Sequence, residues 1–173
     1  VRNYLVALEY GMARLATLPL SLRLVRELHD RLMRGVRGDH ATPGEFRRSQ
    51  NWIGPAGSMP ANAPYVPPPV VEMHELLDDW ERFLHDRDSF PDLIQAAMMH
   101  AQFEAIHPFL DGNGRVGRLL ITLFLVERRR LPQPLLYLSA FIEAHRYDYY
   151  DLLQRVHTHG DWEGWLRYFL TGV

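Results

Sequence analysis

Twelve contiguous residues hold most of the side chains that could do chemistry, from His107 to Arg118 (HPFLDGNGRVGR). His107 is a proton acceptor near neutral pH, because an unperturbed imidazole has a pKa of about 6.5. Asp111 is a hard oxygen ligand of the kind that binds Mg²⁺ together with nucleotide phosphates. Arg115 and Arg118 lie three positions apart, so a helix would present both guanidinium groups to phosphate oxygens. Together these residues predict phosphoryl or nucleotidyl transfer.

The glycines of the same stretch predict a second kind of phosphate contact, made by backbone N–H groups. Gly112 and Gly114 flank Asn113 and have no side chain that would block a ligand. A helix is expected to begin at about Asn113, and its unpaired N–H groups and positive dipole end would add to an anion-binding nest. A Gly-Asn-Gly turn, a His before Pro or two helical arginines are commonly structural when they occur alone. Their contiguity favours a phosphate site.

Helical periodicity dominates the rest of the sequence and predicts the elements that position this stretch. The expected helices cover residues 3–16, 22–35, 70–85, 91–106, 113–129, 139–157 and 162–170, with Ser21 and Ser139 as helix caps and Leu93, Ile94, Ala97 and Met98 pointing inward. The middle of the 113–129 helix is apolar on all sides, which predicts a central position in an all-α domain. The charged residues 127–130 are expected to form a solvated last turn.

Length and composition limit the classes of function. The 173 residues fit one domain, taken as residues 1–173, and the net charge of -2 argues against binding nucleic acid or an anionic membrane. The longest apolar run, residues 119–126, is far shorter than the roughly 20 residues of a membrane span. The chain has no cysteine, which excludes disulfides and Cys-ligated zinc and is compatible with a reducing compartment. We therefore expect a cytoplasmic protein.

The 107–118 stretch resembles the signature of the Fic family, H-x-F-x-[DE]-G-N-G-R-x-x-R. Every specified position matches: His107, Phe109, Asp111, Gly112, Asn113, Gly114, Arg115 and Arg118. The resemblance extends to residues 44–47, 53–54 and 149–150, and to the Gly-Asp-x-x-x-Trp pattern that ends at Trp165. It implies a Fic-type helical bundle around a central buried helix, with a small β-hairpin called the flap.

The resemblance also implies a protein adenylyltransferase, which moves AMP from ATP–Mg²⁺ to a Ser, Thr or Tyr hydroxyl of a target protein and releases pyrophosphate. His107 would be the catalytic base, Asp111 would hold Mg²⁺, and the Phe109 ring would anchor the loop in the core. The implied nucleotide contacts are Gly112, Asn113 through its side chain, Gly114, Arg115, Arg118, Tyr150 and His157. Tyr150 fits an ordinary core-edge tyrosine equally well, and His157 stands where the family often has asparagine.

The flap is implied for the region between the second and third helices. Residues 46–53 could be extended, 54–63 could turn, and Tyr65 and Val66 could pair back. A target segment would then lie along the flap as an added strand, contacting Arg47, Ser49, Gln50, Asn51, Trp52 and Ile53. A disordered proline-rich loop is the alternative interpretation of these residues.

Other activities compete with AMP transfer. His100, Glu104 and His107 share one helical face, with Asp111 one turn beyond, which is a pattern compatible with a metal-dependent hydrolase. Under the Fic interpretation, His100 and Glu104 would be a surface pair or a pair that orients other groups. Doc-like relatives, which phosphorylate, carry lysine where this chain has Gly114, and other relatives use UTP or CDP-choline. A binding module that uses only the flap is a further alternative.

Regulation in the family often depends on an inhibitory helix with the motif [ST]-x-x-x-E-[GN], whose glutamate pairs with the second motif arginine. Residues 139–143 have the spacing, but Ala144 follows where Gly or Asn is expected, so Ser139 is interpreted as a helix cap. The sequence begins without Met, which suggests that an inhibitory helix precedes Val1 or that an antitoxin supplies one in trans. The oligomeric state is left open.

Overall fold

The computed structural model describes residues 2–35, 42–132 and 138–173, and this part of the chain contains eight α-helices. They are α1 (Arg2–Arg14), α2 (Leu22–Met33), α3 (Val70–His85), α4 (Asp92–Ile106), α5 (Asn113–Glu127), α6 (Leu138–Ala144), α7 (Arg146–His159) and α8 (Trp162–Gly172). The predicted all-α class is confirmed. No helix in the described ranges is both long enough and apolar enough to cross a membrane.

Helix α5 occupies the centre of the bundle, as its apolar sequence predicts. It packs against α1, α2 and α4, and its buried side chains include Leu119, Leu120, Ile121, Leu123, Phe124 and Leu125. A helix surrounded in this way cannot shift without disturbing several close-packed neighbours. The first turn of α5 is therefore a stable platform for the residues that precede it.

The charged end of α5 differs from the solvated turn that we expected. The Arg128 side chain is buried and donates hydrogen bonds to the carbonyl oxygens of Leu84 and Asp86, at 3.0 and 2.6 Å, and to Gln95 Oε1 at 3.0 Å. It also forms an ion pair with Asp92 at 3.2 Å. Arg128 thus satisfies carbonyl groups at the end of α3 and fastens the α3–α4 connection to α5.

The helix boundaries follow local capping signals in one case and depart from them in another. The Ser21 hydroxyl accepts a hydrogen bond from the Leu24 N–H at the start of α2, which confirms the predicted cap. Helix α6 already begins at Leu138, so the prediction that Ser139 caps it is wrong.

Helix α4 is buried on more than one face. It packs against α3, α5, α7 and α8, and buries Ala96, Ala97, Met99, His100 and Phe103. Leu93, which was expected to point inward, is exposed. The first turn of α4 lies at the edge of the bundle, so the inward prediction fails there and holds for Ala97.

The predicted β-hairpin is represented in the described residues by one antiparallel bridge between Ile53 and Tyr65. The bridge has both of its N–H···O bonds, at 2.9 and 3.3 Å. Prolines at positions 55, 60, 64 and 67–69 surround it and have no N–H group to extend a ladder. The Tyr65 hydroxyl donates to the Ala105 carbonyl at 2.7 Å and so ties this short flap to α4.

Candidate functional site

His107 ends helix α4 in the left-handed conformation, with φ 49° and ψ 60°. Its Nδ1 lies 3.3 Å from the Glu104 carbonyl oxygen, so the Nδ1–H donates and the lone pair remains on Nε2. Burial lowers the pKa of His107 to about 4, with the nearby Arg47 charge acting in the same direction. At neutral pH the imidazole is therefore uncharged and can accept a proton at Nε2.

The loop after His107 is closed by Asn113, whose side chain is buried. Its Oδ1 accepts from the Phe109 N–H at 2.9 Å, and its Nδ2 donates to the Phe109 carbonyl at 2.8 Å. The Asn113 amide is thus engaged by the loop itself, and the expectation that this side chain contacts phosphate needs correction. The Phe109 ring is fully buried, in line with the anchoring role implied for it.

His29 of α2 supports the same loop and was missed in the sequence. Its ring stacks on Phe109, with centroids 3.7 Å apart. Nδ1 accepts from the Gly44 N–H at 2.9 Å, which leaves Nε2–H to donate to the Asp111 carbonyl at 3.0 Å. Burial lowers the pKa of His29, so this neutral tautomer is favoured. The available signal was a histidine beside Val25 and Leu28 on the apolar face of a predicted helix.

Arg47 lies behind His107 with its side chain in the interior, only 1% exposed. The guanidinium donates to the carbonyl oxygens of His107 at 3.0 Å and Pro68 at 2.5 Å, with a longer bond to Ile106 at 3.5 Å. We expected Arg47 to contact the target, but an enclosed side chain is not available to one. Asn51 has a similar supporting contact, because its Nδ2 donates to the Phe109 carbonyl at 3.0 Å.

The outer surface of the flap carries the other implied target contacts. Ser49, Gln50 and Trp52 are exposed, and Ile53 is half-buried at the bridge. The Trp52 indole N–H donates to the Ser58 carbonyl at 2.7 Å, which holds the ring against the turn. The structure therefore divides the predicted flap residues into an inner pair, Arg47 and Asn51, and an outer group.

Asp111 presents its carboxylate at the surface of the loop, 57% exposed. Oδ1 accepts from the Gly112 N–H at 2.6 Å, and Oδ2 lies 3.4 Å from the Arg115 guanidinium. Gly112 has φ 84°, a conformation that glycine adopts without strain. An exposed oxygen donor beside backbone N–H groups and an arginine fits a Mg²⁺ ion that shares its ligands with phosphates.

A cavity of about 430 Å³ opens next to this loop, between α5 and the α6–α7 region. Its lining combines cationic, aromatic and small polar side chains: Tyr4, Leu5, Arg115, Arg118, Ser139, Ile142, Glu143, Arg146, Tyr149 and Tyr150. Tyr150 lines this cavity, and the adenine contact implied for it stays a prediction. His157 is elsewhere, because its exposed ring packs edge-on against Tyr65 with centroids 4.9 Å apart.

His100 and Glu104 lie inside the bundle, so the surface position considered for them is wrong. His100 is fully buried and its Nε2 is 2.8 Å from the Tyr149 hydroxyl. Within the described residues no group of three or more His, Cys, Asp or Glu side chains could hold a metal ion. The four side chains of the hydrolase alternative are not brought together, and that alternative loses its structural basis.

Comparison with known proteins agrees with the motif and the fold. A family model described as "Fic/DOC family" matches residues 19–125. Curated relatives named "Protein adenylyltransferase Fic" from Aedes aegypti and Culex quinquefasciatus are 34% and 33% identical over 151 residues, which is 86% of this chain and 27% of each relative. The chain therefore spans about a quarter of the length of these relatives.

Solved structures match nearly the whole chain. A Fic family protein from Desulfovibrio desulfuricans superposes with a TM-score of 0.81 at 26% identity, over 99% of this chain and 49% of that one. A Fic domain containing signaling protein from Bacteroides thetaiotaomicron shares the fold, with a TM-score of 0.76 at 18% identity over 99% of this chain and 66% of its own. The complete signature, the helical bundle and the family match together show that this chain belongs to the Fic/DOC family.

Proposed function

We propose that this domain transfers AMP from ATP to a Ser, Thr or Tyr hydroxyl of a target protein, with release of pyrophosphate. The observation that carries the proposal is the neutral His107 imidazole, with Nε2 free, next to a loop and cavity suited to phosphates. The name protein adenylyltransferase, held by relatives at 34% and 33% identity, supports the same chemistry.

Nucleotide binding would use the start of α5. The backbone N–H groups of Asn113 and Gly114 would contact phosphate oxygens together with the positive end of the helix, whereas the Gly112 N–H already donates to Asp111 Oδ1. Arg115 and Arg118 line the adjacent cavity and would bind the outer phosphates, and Tyr150 would contact the adenine. Asp111 would hold Mg²⁺, which when bound neutralises phosphate charge and orients the pyrophosphate leaving group.

In the proposed chemical step, this chain carries out one proton transfer, through His107. Nε2 of His107 takes the proton of the target hydroxyl while that oxygen bonds to the α-phosphorus of ATP. The bond from the α-phosphorus to the bridging oxygen breaks, and pyrophosphate leaves with the bonding pair. Arg47 and the Glu104 carbonyl fix the backbone and the ring of His107, so Nε2 is held in position before a target arrives.

The target segment would lie on the outer side of the flap. Ser49, Gln50 and Trp52 are exposed there, and a strand added by backbone hydrogen bonds needs little side-chain complementarity. Such binding would aim many different hydroxyl side chains at the same base. A protein target held through the flap, in the cytoplasm where ATP is available, is therefore part of the proposal.

Inhibition would act at Arg118. A helix supplied in cis by the same polypeptide, or by an antitoxin in trans, could place a carboxylate on this guanidinium and exclude the outer phosphates. Arg118 lines the cavity beside α6 and α7, so a carboxylate that enters this cavity could reach the guanidinium. A domain without that inhibitor would label itself when it is given ATP and Mg²⁺.

The donor is tested by incubating the protein separately with ATP, UTP and CDP-choline, each with Mg²⁺, and measuring intact mass. We expect an AMP adduct with ATP alone, on the protein itself or on an added protein mixture. A phosphate adduct would instead indicate the kinase activity of Doc-like relatives, and a UMP or phosphocholine adduct would indicate another donor. Absence of every adduct from the folded protein and from the mixture would contradict nucleotidyl transfer.

A further inference from the structure

Glu104 places a buried carboxyl group directly behind the phosphate-binding start of α5. Its side chain is only 12% exposed, and Oε1 is buried without a hydrogen-bond partner among the described residues. A Cβ on Gly114 would lie 3.8 Å from this oxygen and 3.3 Å from Nη1 of Arg118. A Cβ on Gly117 would lie only 2.7 Å from it, so glycine at 117 makes room for the carboxyl. The Glu104 carboxyl and the Arg118 guanidinium thus both lie close to Gly114 in the first turn of α5.

The groups around Glu104 contribute one permanent charge. From α4 itself, His100 Nε2 is 4.0 Å from Oε1, and burial lowers the pKa of His100 to about 3, so this ring is neutral. Helix α7 contributes the Tyr149 hydroxyl, whose pKa is raised well above 10 by burial. Helices α3 and α8 present the uncharged Trp80 and Trp165 to this part of α4. Among the described residues, the charge that acts on the carboxyl is that of Arg118 from α5, which attracts it through space without a direct ion pair.

The carboxyl group changes its charge in the physiological range. Burial raises the pKa of Glu104 to about 7, while the Arg118 charge and the Tyr149 hydroxyl oppose part of that effect. His107, whose Nδ1–H is bonded to the Glu104 carbonyl, has a pKa near 4 and stays neutral over the same range. Between pH 6 and 8, Glu104 is therefore the member of this cluster that gains or loses a proton.

We propose that Glu104 is a positioning residue that sets how strongly Arg118 binds the outer phosphates of the nucleotide, and that it takes up a proton when a nucleoside triphosphate binds. The proposal rests on the nucleotide site described under Proposed function. When ionised, the carboxylate attracts Arg118 away from the phosphates and repels their charge. When protonated, it leaves the guanidinium free, so triphosphate affinity falls as pH rises through the pKa of Glu104.

Calorimetry of binding measures this proton directly. Titrations of α,β-methylene-ATP with Mg²⁺, an analogue that cannot donate AMP, are run at pH 7 in two buffers of different ionisation enthalpy. We expect the wild-type protein to take up about half a proton per nucleotide, and Glu104→Gln to take up close to none from this group. The terminal phosphate of the nucleotide also titrates, with a pKa of about 6, but its contribution is common to both proteins.

Affinity at two pH values gives the second measurement. Between pH 6.5 and 8.5 the wild-type Kd is expected to rise by about tenfold relative to that of Glu104→Gln, because each pKa unit gained on binding corresponds to a factor of ten. Glu143→Gln is the matched control, since it also removes one carboxyl at the cavity but an exposed one. This control is expected to keep the wild-type pH dependence.

Two outcomes would overturn the proposal, and they differ from failure of the proposed function. The first is an equal proton uptake and pH dependence in wild type and Glu104→Gln. The second, which needs no variant, is equal uptake by the wild type on binding AMP and the triphosphate analogue, because AMP has a terminal phosphate of similar pKa but no outer phosphates for Arg118. If the analogue does not bind the wild-type protein at all, the proposed nucleotide site itself is wrong.

Discussion

The catalytic loop, residues 107–114, and the flap, residues 49–66, lie side by side but are held in different ways. In the loop, buried side chains bind the backbone from three directions: Asn113 from α5, His29 from α2, and Arg47 from the segment before the flap. The flap has one backbone bridge, the Tyr65 hydroxyl bond to α4, the Asn51 bond to the Phe109 carbonyl, and several prolines that donate no hydrogen bond. The loop is held by hydrogen bonds from buried side chains on several sides, whereas the flap is attached at a few points.

This difference corresponds to the two tasks that the proposed function gives to the loop and the flap. A base must stand within hydrogen-bond reach of the hydroxyl that it deprotonates, and small displacements are costly in rate. A surface that accepts different target segments needs only an accessible backbone edge and tolerates movement. We therefore expect substitutions in the loop to affect the chemical step or the fold, and substitutions on the outer flap to affect target binding.

The largest effect on activity is expected from His107→Asn. Asparagine adopts the left-handed conformation of residue 107 more readily than alanine does, so the change removes the base with little backbone strain. The rate of AMP transfer should fall by roughly two to four orders of magnitude, because only general-base catalysis is lost. The measurement is the initial rate of adduct formation by mass spectrometry.

Nucleotide affinity and pH dependence separate this result from a structural one. The neutral ring does not contact the phosphates in the proposed mechanism. The Kd of His107→Asn for the triphosphate analogue should therefore be within about threefold of the wild-type Kd, a difference in binding free energy well under the roughly 1.4 kcal/mol of a tenfold change. The lowered pKa of His107 leaves the base deprotonated above about pH 4, so kcat at saturating ATP should stay flat down to pH 5.5. Full activity in the variant would show that another group accepts the proton.

A large effect on stability is expected from Arg47→Met, which retains much of the side-chain volume but no donors. The carbonyl groups of Ile106, His107 and Pro68 would lose their partner, and buried unpaired carbonyls destabilise a fold. The free energy of unfolding should fall by about 2–4 kcal/mol, measured by urea denaturation. The adjacent Arg48→Ala is the control, because Arg48 is exposed and forms a surface ion pair with Glu45, so its loss should change stability by under about 0.5 kcal/mol. If both variants changed the free energy of unfolding by the same small amount, Arg47 would not be a structural support, and its implied role in target binding would be favoured again.

Much of the fold could be predicted, because periodicity reports burial. The apolar run of α5 indicated the central helix, and the contiguous motif indicated where backbone, carboxylate, arginines and base would meet. Both the apolar run and the motif consist of residues that are close together in the sequence. Spacing along one helix placed His100 and Glu104 on a common face but could not tell whether that face was at the surface or, as the structure has it, in the interior.

Several functional predictions failed at polar side chains that bind backbone groups, and two of these side chains have partners that are distant in sequence. Arg47 bonds the His107 carbonyl across 60 positions, and His29 bonds the Asp111 carbonyl across 82. Asn113 fits a phosphate nest by type, yet its amide pairs with Phe109. A buried backbone carbonyl has no signature in the sequence, so the side chain that satisfies it cannot be distinguished beforehand from one that binds a ligand.

The smallest effect is expected from Trp52→Ala on the outer flap. Trp52 is 42% exposed and its indole N–H donates to the Ser58 carbonyl, so its loss should lower stability by no more than about 1 kcal/mol. The KM for a protein target should rise by roughly two- to tenfold, since one partly buried aromatic contact contributes about 0.5–1.5 kcal/mol. Affinity for the triphosphate analogue should not change, because the cavity lining does not include residue 52. A variant with normal target KM but weakened nucleotide binding would mean that the loop and the flap are mechanically coupled, and the contrast between an enclosed base and a loosely fastened target surface would be wrong.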